Sequence, residues 1–194
     1  MNKMWSPIVD GLSLSGLELW LINKVAFELK YIKELEPVQQ WNKNTGYGNL
    51  FQSCIEGFIK TKTIGGANKL LENKTNELLT KYSFDSDEIV FYAMLAERQF
   101  NIFIELYNKD LEKFNFTDSE KKHEVVITLP SGRDIKLKGY IDGESEDCIM
   151  ENKTRAEWDT DEIVNEIDLN LQYNYYCLMY YAENNKLPKH VWYQ

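Results

Sequence analysis

Two acids, a lysine and an amide–phenol pair stand in an order that suits phosphate chemistry in the second half of this chain. Gly139-Tyr140-Ile141-Asp142 comes first, then Glu151-Asn152-Lys153, then Gln172-Tyr173-Asn174-Tyr175-Tyr176. A phosphodiester resists hydrolysis because water must attack an anion, so such a site needs carboxylates to hold Mg²⁺ or Mn²⁺ and a cation beside the nucleophile. Asp142, Glu151 and Lys153 are those parts, and the peptide carbonyl of Asn152 is a further hard oxygen ligand. Gln172 and Tyr176, four apart, share a helix face from which an amide and a phenol can reach the phosphate or the attacking water.

An acid-x-Lys triplet alone carries little weight, because Glu28-Leu29-Lys30, Glu120-Lys121-Lys122 and Asp134-Ile135-Lys136 match it too. Context separates Glu151-Asn152-Lys153 from these: strand alternation places Ile149, Glu151 and Lys153 on one face, where carboxylate and ammonium meet one ligand. The competing account is a solvated strand end with a surface ion pair. Asp142 has its own competitor, a turn residue in an Asp-Gly hairpin. For Asp142 and Glu151 to share a metal their strands must diverge or be offset, and the sequence leaves that register open. The tyrosines at 173, 175, 176, 180 and 181 equally suit an aromatic core stripe.

The elements that position these residues change character along the chain. Ser13 or Ser15 can cap a helix from about Gly16, with Leu17, Trp20, Leu21, Phe27 and Tyr31 at helical spacing and Pro37 at its end. A second helix is expected from Tyr47 to Lys60, with Leu50, Cys54, Ile55 and Phe58 as its apolar stripe and Gln52 and Glu56 one turn apart. Gly65-Gly66 then breaks the chain before a polar helix, Asn68 to Lys81, and Asp85 or Ser86 caps a longer one through Phe103, Tyr107, Leu111 and Phe114. From His123 the pattern becomes a β-meander: Glu124 to Leu129, Asp134 to Asp142, and Cys148 to Thr154. Ile163, Ile167, Leu171, Tyr175 and Leu178 mark a last helix, and Val191 to Tyr193 a last strand.

At 194 residues the chain suits one domain, with a mainly helical part over 1–117 and the motif-bearing part over 123–194. No apolar run approaches the roughly 20 residues that span a bilayer, and Met1 to Asp10 lacks the layout of a secretory signal, so a cytoplasmic location without membrane association is expected. Cys54, Cys148 and Cys177 are odd in number and lie in apolar stretches, which suits buried reduced thiols. The net charge of −9 argues against phosphate binding through Lys and Arg clusters. A metal site reverses that argument locally, since bound ions bring positive charge and need surplus carboxylates.

Together the motifs resemble the RecB-type branch of the PD-(D/E)xK nuclease superfamily, which includes AddB and lambda-type phage exonucleases. That branch shows Gly-hydrophobic-hydrophobic-Asp, acid-x-Lys-Thr and Gln-x-x-x-Tyr, matched by Gly139 to Asp142, Glu151 to Thr154 and Gln172 to Tyr176. Ser13-Leu14-Ser15-Gly16-Leu17 with Trp20, Phe27 and Tyr31 is similar to the branch's opening helix. Gly48-Asn49-Leu50-Phe51-Gln52 with Glu56 is similar to its helix carrying a metal-binding His and a Glu. Here Gln52 stands where relatives keep the His, and Asn23-Lys24 replaces Cys-Pro.

The resemblance implies an α/β, restriction-endonuclease-like mixed sheet flanked by helices, with an extended helical N-terminal half. It implies a Mg²⁺- or Mn²⁺-dependent DNA nuclease, an exonuclease of phage or bacterial recombination or repair. Asp142, Glu151 and the Asn152 carbonyl would bind metal with Glu56 and Gln52, Lys153 would activate water, and Gln172 and Tyr176 would position phosphate. DNA is the expected partner, alongside a recombination protein or a second copy of the chain. Relatives with an iron–sulfur cluster need four clustered cysteines, so no cluster is expected. A lambda-type relative extends its sheet past Tyr193, so the resemblance implies a minimal or shortened member as an expectation. The alternative is an inactive scaffold that binds DNA or protein.

Overall fold

The computed structural model describes residues 5–35, 40–153 and 170–193. The chain is mixed α/β, with helices and two separate three-stranded sheets. Its packing divides into two compact units, each built from three stretches: 1–39, 122–140 and 157–189 form the first, and 40–121, 141–156 and 190–194 the second.

In the first unit, β1 (Leu12–Ser13) leads into α1 (Leu14–Ile22). Ser13 caps α1 by accepting the Gly16 N–H at 3.1 Å. The expected long helix is interrupted at Asn23, which is extended (φ −149°, ψ 91°) and caps α2 (Lys24–Phe27) by accepting from the Ala26 N–H. This break divides the predicted apolar stripe: Phe27 is buried, whereas Trp20 and Leu21 are exposed. A π-helical turn, Glu28–Ile32, follows.

The sheet of this unit has the order β1-β3-β2, with β2 (Lys121–Thr128) and β3 (Asp134–Ile141). β1 lies parallel to β3, Leu12 against Leu137. β2 turns His123 and Val125 inward and Glu124 and Val126 outward, the alternation of a one-sided strand. Val125 and Leu137 pack on Tyr175 and Met179 of α6 (Leu171–Asn184). The tyrosine stripe is therefore largely core, as Tyr173, Tyr175 and Tyr180 are buried.

The second unit holds α3 (Lys43–Thr61), α4 (Ile64–Lys81) and α5 (Ser86–Phe114). Asn42 caps α3 and Thr63 caps α4. Gly65-Gly66 does not break the chain before α4 but lies in its first turn. Gly66 serves close packing: a Cβ on it would lie 1.8 Å from Thr61 Oγ1, and one on Gly57 would lie 2.5 Å from the Gly66 carbonyl oxygen. Leu50, Cys54, Ile55, Ala67, Leu71, Ile89, Ala96 and Phe100 form the core between these helices.

The second sheet has the order β4-β5-β6, with β4 (Gly143–Glu144), β5 (Cys148–Glu151) and β6 (His190–Tyr193). β5 is antiparallel to β4 and parallel to β6, and all four of its residues are buried. Cys148 and Met150 join the helical core, where Trp192 stacks on Phe116 at 5.6 Å. The predicted meander is thus corrected. The chain bends at Asp142 and changes sheets, so β5 pairs with β4 and β6 rather than with β3. Thr154, Ile163 and Ile167 lie outside the described residues.

Candidate active site

Asp142 occupies the bend between β3 and β4. The β4–β5 ladder pairs Glu144 with Ile149 and Gly143 with Met150, so one further step sets Asp142 opposite Glu151. Residues directly opposite on antiparallel strands present side chains to the same face, with Cα atoms roughly 4.5–5.5 Å apart. Asp142 itself lies in the bend just before β4, close enough to Glu151 for the two carboxylates to repel each other. The peptide N–H of Asn152 closes the ladder by donating to Asp142 Oδ2 at 2.7 Å.

Glu151 is 3 % exposed, and its Oε1 meets Lys153 Nζ at 2.5 Å. The Lys153 side chain keeps 37 % of its surface accessible, so the ammonium is anchored at the carboxylate yet open to solvent. Asp142 is electrostatically less comfortable. Burial, followed by repulsion from Glu151, raises its pKa, while the Asn152 N–H and Lys153 offset only part of the rise.

Helix α3 contributes from the same unit. Gln52 Oε1 accepts from Asn152 Nδ2 at 3.0 Å, and Glu56 pairs with Lys60 one turn on. Glu56 is therefore engaged by a cation of its own helix rather than standing as an uncommitted ligand.

One acid of this cluster escaped the sequence reading, where it was only a decoy triplet. Asp118 and Glu144 exchange backbone hydrogen bonds of 2.8 and 3.2 Å as an antiparallel bridge, and two residues on Glu120 lies near enough to Asp142 for the two carboxylates to repel. Ser119 Oγ fastens the segment by donating to the Asp142 carbonyl at 2.6 Å. Glu120 has φ +53°, a left-handed conformation that costs a non-glycine residue roughly 1 kcal/mol and recurs at functional sites. Burial, then repulsion from Asp142 and Glu56, pushes the Glu120 carboxyl up to about 7, against favourable interactions with Gln52 and Lys60. No spacing rule marks this residue, because it lies in a turn whose position against Asp142 is set by tertiary pairing.

Gln172 and Tyr176 do share a face of α6, and Gln172 Nε2 donates to Tyr176 Oη at 3.3 Å. They belong to the first unit, whereas Asp142, Glu151, Asn152, Lys153, Gln52, Glu56 and Glu120 belong to the second. Tyr175, between them, is structural: its hydroxyl donates to the Leu12 carbonyl at 2.5 Å and accepts from the Lys138 N–H at 3.2 Å, tying β1 to β3. Burial pushes this phenol up to about 12. The thiols are inert in character as well: all three are free, and burial raises Cys54 to about 12 and Cys148 to about 11.

The donors suit a hard divalent ion, since Asp142, Glu151 and the Asn152 carbonyl are all oxygen. Among the described residues no three His, Cys, Asp or Glu side chains form a metal cage by themselves, so the backbone carbonyl would be needed as a donor.

No family model, curated protein or solved structure matches the chain. Among the described residues no helix is long and apolar enough to cross a membrane. The functional reading therefore rests on the chain's own residues.

Proposed function

We propose that this protein is a Mg²⁺- or Mn²⁺-dependent DNA nuclease of the PD-(D/E)xK type, acting as an exonuclease in phage or bacterial recombination or repair. The observation that carries this reading is the opposition of Asp142 and Glu151 at the end of the β4–β5 ladder, with Lys153 fastened to Glu151. The restriction-endonuclease-like core belongs to the same proposal, supported by the mixed β4-β5-β6 sheet packed on α3 and α5.

A bound divalent ion would neutralise phosphate charge and make water a better nucleophile. Asp142, Glu151 and the Asn152 carbonyl would hold it. Asp142 is oriented for this by the Asn152 N–H, which fixes Oδ2 and leaves Oδ1 for the ion. Lys153, anchored by Glu151 and reachable from solvent, orients the attacking water and offsets the charge that develops as the new P–O bond forms and the ester P–O bond breaks. Gln172 and Tyr176 enter as phosphate-positioning groups through the sequence resemblance alone.

A second reading, a catalytically inactive scaffold that binds DNA or a protein, is favoured by the Glu56–Lys60 pair, which neutralises one expected ligand. End-labelled linear and circular DNA incubated with Mg²⁺, Mn²⁺ or EDTA decides between them. The nuclease reading expects metal-dependent loss of linear DNA that EDTA abolishes. Intact substrate under every condition, with DNA still bound, selects the scaffold.

A further inference from the structure

Resting on the metal-site reading above, we infer that Gln52 is a positioning residue that holds Asn152 in place, and not a ligand to the ion. An amide offers a hard cation only its oxygen, and Gln52 Oε1 already accepts from Asn152 Nδ2 at 3.0 Å. The other end of the amide, Nε2, is a buried donor and carries the wrong polarity for a cation. Its favourable interaction with Glu120 holds the amide from the opposite side. Turning Oε1 towards a metal would also strip Asn152 Nδ2 of its acceptor, although Asn152 Oδ1 is already buried without a partner.

The role of the clamp follows from what Asn152 does. Its N–H holds Asp142 Oδ2 at 2.7 Å, and its carbonyl is one of the proposed oxygen donors. Asn152 also stands immediately beyond β5, where the ladder no longer constrains the peptide plane. A side-chain bond to the 19-residue helix α3 (Lys43–Thr61) restores that constraint. Gln52 thus acts on the ion through one peptide, as hydrogen-bond partners behind metal ligands do, and such partners typically alter metal affinity about 10- to 100-fold.

The test is a double-mutant cycle on Mn²⁺ binding, read by the loss of the free-ion electron paramagnetic resonance signal and therefore independent of cleavage. Gln52→Ala and Asn152→Ala should each weaken Mn²⁺ binding about tenfold, and the double variant should be no weaker than either single one, because both remove the same bond. Gln52→Met, close in shape but without the acceptor, should match Gln52→Ala, and circular dichroism checks that each variant is folded. Losses that multiply to about a hundredfold in the double variant overturn the clamp and return Gln52 to the ligand set, leaving the nuclease reading intact. Wild-type protein that takes up no Mn²⁺ overturns both.

Discussion

The first unit around Tyr175 and the second around Asp142 both place polar side chains in the protein interior, and they resolve the cost in opposite ways. Tyr175 has an acceptor in the Leu12 carbonyl and a donor in the Lys138 N–H, and His123, fully buried, meets Glu183 at 2.9 Å. The Tyr175 hydroxyl thus has both an acceptor and a donor, and it ties β1 to β3 at the edge of the β1-β3-β2 sheet. Around Asp142 acids meet instead: Asp142 repels Glu120 and is itself repelled by Glu151, with Lys60 near Glu120 and Lys153 near Asp142. A closed polar network stabilises a fold, whereas buried acids whose ionisation is disfavoured are frequent at functional sites.

The sharpest way to break this contrast is to remove the cation beside the acids. Lys153→Ala should lower cleavage by two or more orders of magnitude while DNA affinity, measured by anisotropy, changes far less. Equal losses in both would make Lys153 a binding residue. Next in size is the response to metal: saturating Mn²⁺ at about 100 times its dissociation constant should stabilise the wild type by about 2.7 kcal/mol, and Glu151→Ala should lose that stabilisation. Thermal unfolding with and without EDTA measures it. If Mn²⁺ stabilises Glu151→Ala as much as the wild type, the ion binds elsewhere.

The opposite region should behave in the opposite manner. Tyr175→Phe should cost about 1–2 kcal/mol of stability in denaturant unfolding, by leaving buried backbone groups unpaired, and should leave Mn²⁺ uptake unaltered. A fall in metal uptake would show that the two networks are coupled.

The smallest expected effect is a pH dependence. Glu120 has a folded pKa of about 7 against an ordinary value of 4.5, so between those values the folded chain binds more protons than the unfolded one. Stability therefore falls as pH rises through this window in EDTA. Glu120→Gln removes the penalty and should flatten the profile, gaining about 1 kcal/mol at pH 8 once the shift is discounted for partial exposure. A slope that persists in the variant assigns the titration to Asp142 instead.

Much of this arrangement is legible in sequence where the information is local. Ser13 announces α1, and the stripe of Leu50, Cys54 and Ile55 announces the buried side of α3, because capping and helical period involve residues within a few turns. The split of the meander is not legible, since alternation in 134–142 says which side chains share a face and nothing about which strand lies alongside. The motif singles out Asp142, but its placement beside Glu151 depends on tertiary pairing. Glu120 is hidden for the same reason, and Asn23 was visible only as a departure from Cys-Pro although it caps α2.

The interlocking of α3 and α4 has an evolutionary corollary. With 2.5 Å between a Cβ on Gly57 and the carbonyl oxygen of Gly66, any larger side chain forces two backbones apart. Descendants of this chain are therefore bound to retain a glycine at 57 as strictly as an enzyme retains its acids. Invariance there would record helix apposition alone.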